Sequence, residues 1–279
     1  MRARWLPWLL VVVVAGGCKR KATSAPVDAG LTLDQALASL AGACDRGDAE
    51  ACRNLGVIYS EGKQVPRDLV RAMRLYQRAC DGGNPAGCNN LGLVNLKGLG
   101  TVENAAAARS QFERGCDGGS PLACRNLGLA RARGEGGPVD LAAALAAYRQ
   151  ACDAGLALGC TSAGLLLAAA PAPVGDAPAS IPMLQRGCDQ GDPNGCRQLG
   201  MAYLSGTGAA QGAAPASVWL TKGCGLSDGP SCRMLAELTA AGRGVARDEA
   251  KAAALAARAC QLGEAAACGP DGAPPSAPR

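Results

Sequence analysis

The chain has 279 residues, among them 15 cysteines, 39 glycines, 17 prolines and no histidine, with 48% hydrophobic residues but only 3% aromatic. Alanine and small aliphatic side chains therefore have to fill the core, and the missing histidines exclude Ser-His-Asp and Cys-His nucleophile systems and every His-ligated zinc or haem site. The formal charge of +5 comes from Arg2, Arg4, Lys19, Arg20 and Lys21; from Ala22 onward the charges cancel, so neither a basic stripe nor stacking aromatics mark a nucleic-acid binder.

Met1 to Arg4 is a short basic start, and Trp5 to Ala15 is apolar apart from Pro7. That run is too short for a mature membrane span and has the length of a signal-peptide core. Ala15-Gly16-Gly17-Cys18 then resembles a bacterial lipobox, although Ala15 stands where Leu is usual. The expectation is a signal peptide over 1–17, lipidation of Cys18 and a flexible polar tether over 18–30. Cleavage after Gly17 by the ordinary signal peptidase is the alternative, and both routes export the body, where many cysteines oxidise.

Without Cys18, the cysteines fall in pairs: Cys44 with Cys52, Cys80 with Cys88, Cys116 with Cys124, Cys152 with Cys160, Cys188 with Cys196, Cys224 with Cys232, and Cys260 with Cys268. The members of each pair are eight apart, and each pair starts 36 after the last. Such a period marks an array of small structural units. Asp48, Asn84, Ser120, Asp192 and Asp228 are placed to cap a first helix, A, with Pro85, Pro121 and Pro193 at its first position. Cys52, Leu55, Gly56 and Tyr59 form its core stripe, and Gly62, Gly98, Gly134, Gly206 and Gly242 end it. Asp68, Asn104, Asp140, Asp176 and Asp248 cap a second helix, B, with small residues at Ala72, Ala108, Ala144, Ser180, Ala216 and Ala252 and large ones four later at Tyr76, Phe112, Tyr148, Leu184 and Leu220. Helix B stops near Gly47, Gly83, Gly119, Gly155, Gly191 and Gly263. The prediction is an all-α, right-handed solenoid of antiparallel helix pairs over 31–268, followed by a disordered tail over 269–279.

In this register the first cysteine of a pair lies in the last turn of a helix B and the second about one turn into the next helix A, facing it across a tight corner. Seven disulfides are expected, worth about 2–3 kcal/mol each in the loop-entropy model. A zinc site is not expected, because no Cys-x-x-Cys is present.

Runs such as Ala51-Cys52-Arg53-Asn54-Leu55-Gly56 and Ala79-Cys80-Asp81-Gly82-Gly83-Asn84-Pro85-Ala86-Gly87-Cys88 resemble the tetratricopeptide-related Sel-one-like repeat family, in particular its exported cysteine-rich members typified by the Helicobacter cysteine-rich proteins. Two units depart from the pattern. Ala163 and Ala170 replace the usual Leu and Gly before a Pro/Ala-rich stretch reaching Pro182, and Gly212 replaces a helix-B cap; helices there are expected to start late or fray.

The resemblance also implies a check for β-lactam chemistry, because some cysteine-rich members are credited with binding or hydrolysing penicillins. Ser60-Glu61-Gly62-Lys63 fits S-x-x-K, Ser227-Asp228-Gly229 resembles the S-D-N triplet, and Gly225 to Gly229 fits G-x-S-x-G. Ser60 falls at the end of a helix A rather than at the start of a buried helix, no Lys-Thr-Gly follows, and no histidine can serve as base. Two polar rows on helix A remain: Arg53, Arg125, Arg197 and Arg233, interrupted by Asn89 and Thr161, and beside them Asn54, Asn90 and Asn126. Their planar donor groups suit carbonyl, carboxylate or glycan oxygens, or else they are solvated or join neighbouring units. The reading is a non-enzymatic, monomeric, exported repeat scaffold that binds a protein or peptide and reaches the membrane, periplasmic or cell-surface, through lipid on Cys18, without metal or cofactor. A penicillin-binding or β-lactamase-like hydrolase is the alternative, and an envelope spacer the third.

Overall fold

The computed structural model describes residues 32–269 and Ala273; Cys18, the signal segment, the tether and most of the tail lie outside the described residues. Among the described residues thirteen α-helices follow one another: α1 (Leu33–Asp45), α2 (Ala49–Glu61), α3 (Leu69–Asp81), α4 (Pro85–Lys97), α5 (Ala105–Asp117), α6 (Pro121–Arg133), α7 (Leu141–Asp153), α8 (Ala157–Ala169), α9 (Ala177–Asp189), α10 (Pro193–Ser205), α11 (Ala213–Gly225), α12 (Gly229–Ala241) and α13 (Glu249–Gln261). Even-numbered helices are the A helices and odd-numbered ones the B helices. No strand occurs among the described residues.

The expected caps are in place. Asp48, Asn84, Ser120, Asp192 and Asp228 accept backbone N–H groups at the starts of A helices, and Asp68, Asn104, Asp140, Asp176 and Asp248 do so for B helices. A reciprocal Thr32–Gln35 capping box opens α1. Gly62, Gly98, Gly134, Gly206 and Gly242 leave the A helices with φ between +62° and +79°, a turn that a β-carbon would oppose.

The two irregular units differ from the sequence expectation. Every helix has thirteen residues, so α9 and α11 start in register rather than late. Pro182 lies inside α9, where it deprives the Pro178 carbonyl of its helical donor. Both residues are exposed, so water can reach that carbonyl. Ala170 leaves α8 extended, at φ −70° and ψ 151°, instead of turning left-handed. At the far end, Cys268 follows a short 3-10 turn over Ala265–Ala267 and not a further helix A.

Each A helix packs on the B helices before and after it, and A helices also meet each other, α2 with α4, α4 with α6, α6 with α8 and α8 with α10. The A helices thus form the face on which neighbouring units approach each other most closely, the inner face. All seven expected disulfides link the end of a B helix to the next unit. Cys44 is bonded to Cys52, Cys80 to Cys88, Cys116 to Cys124, Cys152 to Cys160, Cys188 to Cys196, Cys224 to Cys232, and Cys260 to Cys268. Their S–S distances are 1.95–2.12 Å and their Cα–Cα distances 4.4–4.9 Å. Cys196 in α10 and Cys232 in α12 are wholly buried, so these bridges belong to the core as much as to the joints.

Inside each unit a large side chain from helix B fills the space left by a helix-A glycine. A β-carbon at Gly56 would come within 2.7 Å of the Tyr76 ring, at Gly92 within 2.5 Å of Phe112, at Gly128 within 2.6 Å of Tyr148, at Gly164 within 2.7 Å of Leu184 and at Gly200 within 2.8 Å of Leu220. These mid-helix glycines lower helix propensity by about 1 kcal/mol each relative to alanine, and the burial they permit exceeds that cost. In the last full unit Ala236 stands in the glycine register and Ala256 in the ring register, so the two positions change size together.

A second set of links crosses between units on the outer side. Arg78 donates to the Asp45 carboxylate (2.9 Å) and the Cys44 carbonyl (2.7 Å) of the preceding unit; Arg114 does the same with Asp81 and Cys80, and Arg186 with Asp153 and Cys152. Lys222 reaches Asp189, and Gln150 reaches only the Cys116 carbonyl. The ion pairs are largely exposed, so each contributes no more than about 1 kcal/mol. The carbonyls that Arg78, Arg114, Arg186 and Gln150 bind are end-of-helix acceptors that also take the N–H of the corner glycines Gly47, Gly83, Gly155 and Gly119.

Candidate functional site

The arginine row of the A helices is not a uniform strip. Arg197 donates to Asp228 at 2.8 Å and Arg233 to Glu264 at 3.1 Å, both acids standing at the start of the next unit's A-helix register. Arg53 pairs within its own helix with Glu50 (3.3 Å) and donates to Asn54 (2.6 Å). Arg125 has no ion pair among the described residues, because the position that supplies Asp228 and Glu264 is occupied in the unit after it by Leu156. The asparagines divide as well. Asn89 is buried and accepts from Asn126 of the following unit at 2.8 Å, whereas the Asn90 side chain faces a niche on the inner side.

That niche lies where α2, α3 and α4 meet. Ser60, Arg67, Tyr76, Asn90 and Lys97 line it together with Leu69, Leu93, Val94 and Leu99, around about 220 Å³. Three units along, Ala168, Leu184, Gln198, Met201, Ala202, Ser205 and Thr207 occupy the same registers around about 200 Å³. One unit earlier, Val57, Ile58, Glu61 and Lys63, the counterparts of Leu93, Val94, Lys97 and Leu99, border a smaller hollow of about 110 Å³. The A-helix face thus carries two niches in the same registers, three units apart and with different chemistry, and a smaller hollow at the end of α2. A wider depression of about 680 Å³ opens outside this file, beside Tyr59 and the start of α3, with the Arg71 guanidinium 4.2 Å from the centre of the Tyr59 ring.

Ser60 is not arranged as a nucleophile. Its hydroxyl donates to the Val57 carbonyl at 2.9 Å and lies 2.9 Å from the Tyr76 hydroxyl. Burial pushes the Tyr76 phenol above the ordinary 10.0, although the Ser60 hydrogen bond acts in the opposite direction, so the phenol keeps its proton at neutral pH and cannot take another. Lys63 pairs with Glu61 at 3.1 Å in an exposed position. The Ser227 triplet has a structural role instead: Ser227 takes the left-handed corner with φ +65°, and Asp228 caps α12 while accepting from Arg197. Among the described residues there is no group of three or more potential metal ligands, and no helix is long and apolar enough to cross a membrane.

Sequence reasoning missed the outer clamp series and the niche. The signal for the first was present as Cys-Asp at 44 and 45, 80 and 81, 152 and 153, and 188 and 189, matched by Arg78, Arg114, Arg186 and Lys222 one unit later. The niche draws on three helices, and no single window displays it.

The crystal structure of c5321, a protective antigen of uropathogenic Escherichia coli with an SLR fold, is similar at 27% identity and a TM-score of 0.75, covering 83% of this chain and 50% of that one. The chain therefore spans about half the length of that relative. A Sel1 repeat protein from Oxalobacter formigenes shares 21% identity with a TM-score of 0.67, covering 81% and 99% of the two chains. Cysteine-rich protein B of Helicobacter pylori shares 30% identity over 46% of this chain and 92% of its own, with a TM-score of 0.39. No curated protein matches the sequence. The Sel1 repeat model matches residues 49–84, 85–120, 121–156, 193–213 and 229–264, more than half of the sequence, and the chain belongs to the Sel1 repeat family.

Proposed function

We propose that the protein is an exported, lipid-anchored scaffold that holds a protein or peptide partner along its inner face. The observation that carries this reading is the return of one niche, in the same registers, three units along the A-helix face, a surface that an extended segment can follow. Seven disulfides support an oxidising, extracytoplasmic setting. Cys18 supplies the anchor at the start of the mature chain, and multiple acyl chains hold a body of this size firmly where one would not. No geometry around Ser60 supports the hydrolase alternative.

A photo-crosslinking residue at Asn90 or Gln198 should trap a partner in intact cells, while the same residue at Val218, exposed on the outer helix α11, should not. Equal trapping from the outer face would overturn the assignment. Cys18→Ser should move the protein into the soluble fraction or leave it unprocessed; a correctly cleaved variant that stays on the membrane would refute the lipid anchor. A labelled penicillin should leave no covalent adduct, and a stoichiometric adduct lost in Ser60→Ala would establish the hydrolase reading instead.

A further inference from the structure

We infer that the niche between α2, α3 and α4 is a subsite for a side-chain carboxylate of the bound segment, carried among apolar neighbours. This rests on the scaffold reading and specifies its ligand chemistry. Two cations border the niche without a carboxylate partner among the described residues. Lys97 stands free in the last turn of α4. Arg67 donates through Nε to the Ser60 carbonyl at 3.0 Å, which orients the guanidinium and leaves its Nη groups for a ligand. The Asn90 amide and the paired hydroxyls of Ser60 and Tyr76 add neutral hydrogen-bonding groups. Leucines complete the wall, so an acidic side chain here would sit beside apolar surface.

The neighbouring niches make the preference local. In the register of Lys97 the previous unit has Glu61, which is paired with Lys63 at 3.1 Å, and the niche three units along has Ser205. The following unit has Arg133, already 3.6 Å from Glu135. Charge complementarity therefore selects an acid at one position of the ligand and leaves the later niche, with Leu165, Leu184 and Met201, to apolar side chains. Because the A-helix face continues on both sides of the niche, with a hollow at the end of α2 and the matching niche three units along, the segment can run through, and a side-chain carboxylate fits better than a chain end.

The test uses the full-length oxidised protein and fluorescein-labelled decapeptides of Leu, Ala and Ser with C-terminal amides, in which one Glu is moved through every position. Members of this set should bind saturably by anisotropy, and replacing their Glu with Gln should weaken them about tenfold, the loss of one charge-assisted contact. The double variant Arg67→Gln with Lys97→Gln should cause a similar loss and remove the salt dependence, with helicity unchanged because both side chains are exposed. If the double variant loses helicity, Lys97→Gln alone should still weaken binding several-fold. Equal binding of Glu and Gln peptides, undiminished binding to the folded variant, or no binding by any member would overturn the inference. Binding that requires a free C-terminal carboxylate instead of the amide would overturn it in favour of a chain-end site. Failure of every acidic peptide while Asn90 still crosslinks a partner in cells would remove this inference alone; failure of both would remove the scaffold reading too.

Discussion

From α2 to α7 every helix starts on a side-chain cap, each A helix leaves through a left-handed glycine, and the rings of Tyr76, Phe112 and Tyr148 rest on glycines. From α8 to α11 much of this local chemistry is missing: α8 and α11 lack a side-chain cap, Ala170 exits extended, Pro182 interrupts α9, and leucines replace the rings. Helix length and register are nevertheless the same in both stretches. What persists is the disulfide at every joint, Cys188–Cys196 and Cys224–Cys232 included, and the fit of a large helix-B side chain over a helix-A glycine. With the Arg186 and Lys222 clamps, these features keep the period where α8 and α11 lack caps, while the surface residues change from the polar niche at Lys97 to the neutral one at Ser205.

The comparison can be broken most severely at the ladder. Phe112→Ala should cost about 3–5 kcal/mol and Leu184→Ala about 2–5 kcal/mol, read from hydrogen exchange of the helices on either side, since an array need not unfold in one step. Equal costs would show that rings add nothing to the better-capped stretch. Next in size, removing Cys152–Cys160 should cost about 2–3 kcal/mol by loop entropy. The loss of protection in α8, which has no side-chain cap, should exceed that in capped α6 after removal of Cys116–Cys124; the opposite order would mean that the bridge does not compensate for the missing cap. Asp140→Ala should cost about 1 kcal/mol and fray α7. Smallest, Ser227→Gly should raise stability by up to about 1 kcal/mol in thermal unfolding, because Ser227 occupies a left-handed corner filled by glycine at Gly47, Gly83, Gly119, Gly155, Gly191 and Gly263. A loss would mean that its side chain supports the corner.

The sequence exposes whatever each unit does for itself. Caps, stop glycines and cysteine pairs act within a few residues of one another, so their spacing alone places them. The disulfide at Cys44–Cys52 is legible for the same reason as the cap at Asp48. Contacts between units are harder to read, because they depend on how one unit is turned relative to the next. Arg78 meeting Asp45 needs that rotation, as does the burial of Asn89 against Asn126. For Arg197 and Arg233 the sequence shows the common register, whereas the acids that the next unit brings to them depend on that rotation. Pro182 and Gly212 misled in the other direction: local propensity argued for late helices, and packing on neighbouring helices kept them in register.

Because every disulfide joins consecutive cysteines eight positions apart, the covalent structure is a string of small rings separated by single-stranded stretches. A protease that cuts between rings, for instance in the exposed stretch around Pro171 to Pro173, divides the molecule into two covalently independent pieces, and only packing between α8 and α9 and their neighbours keeps them together. A cut inside a ring, at the corner around Gly155, leaves both pieces tied through sulfur. The bonds that make each joint durable thus give the whole chain no protection against being severed between joints.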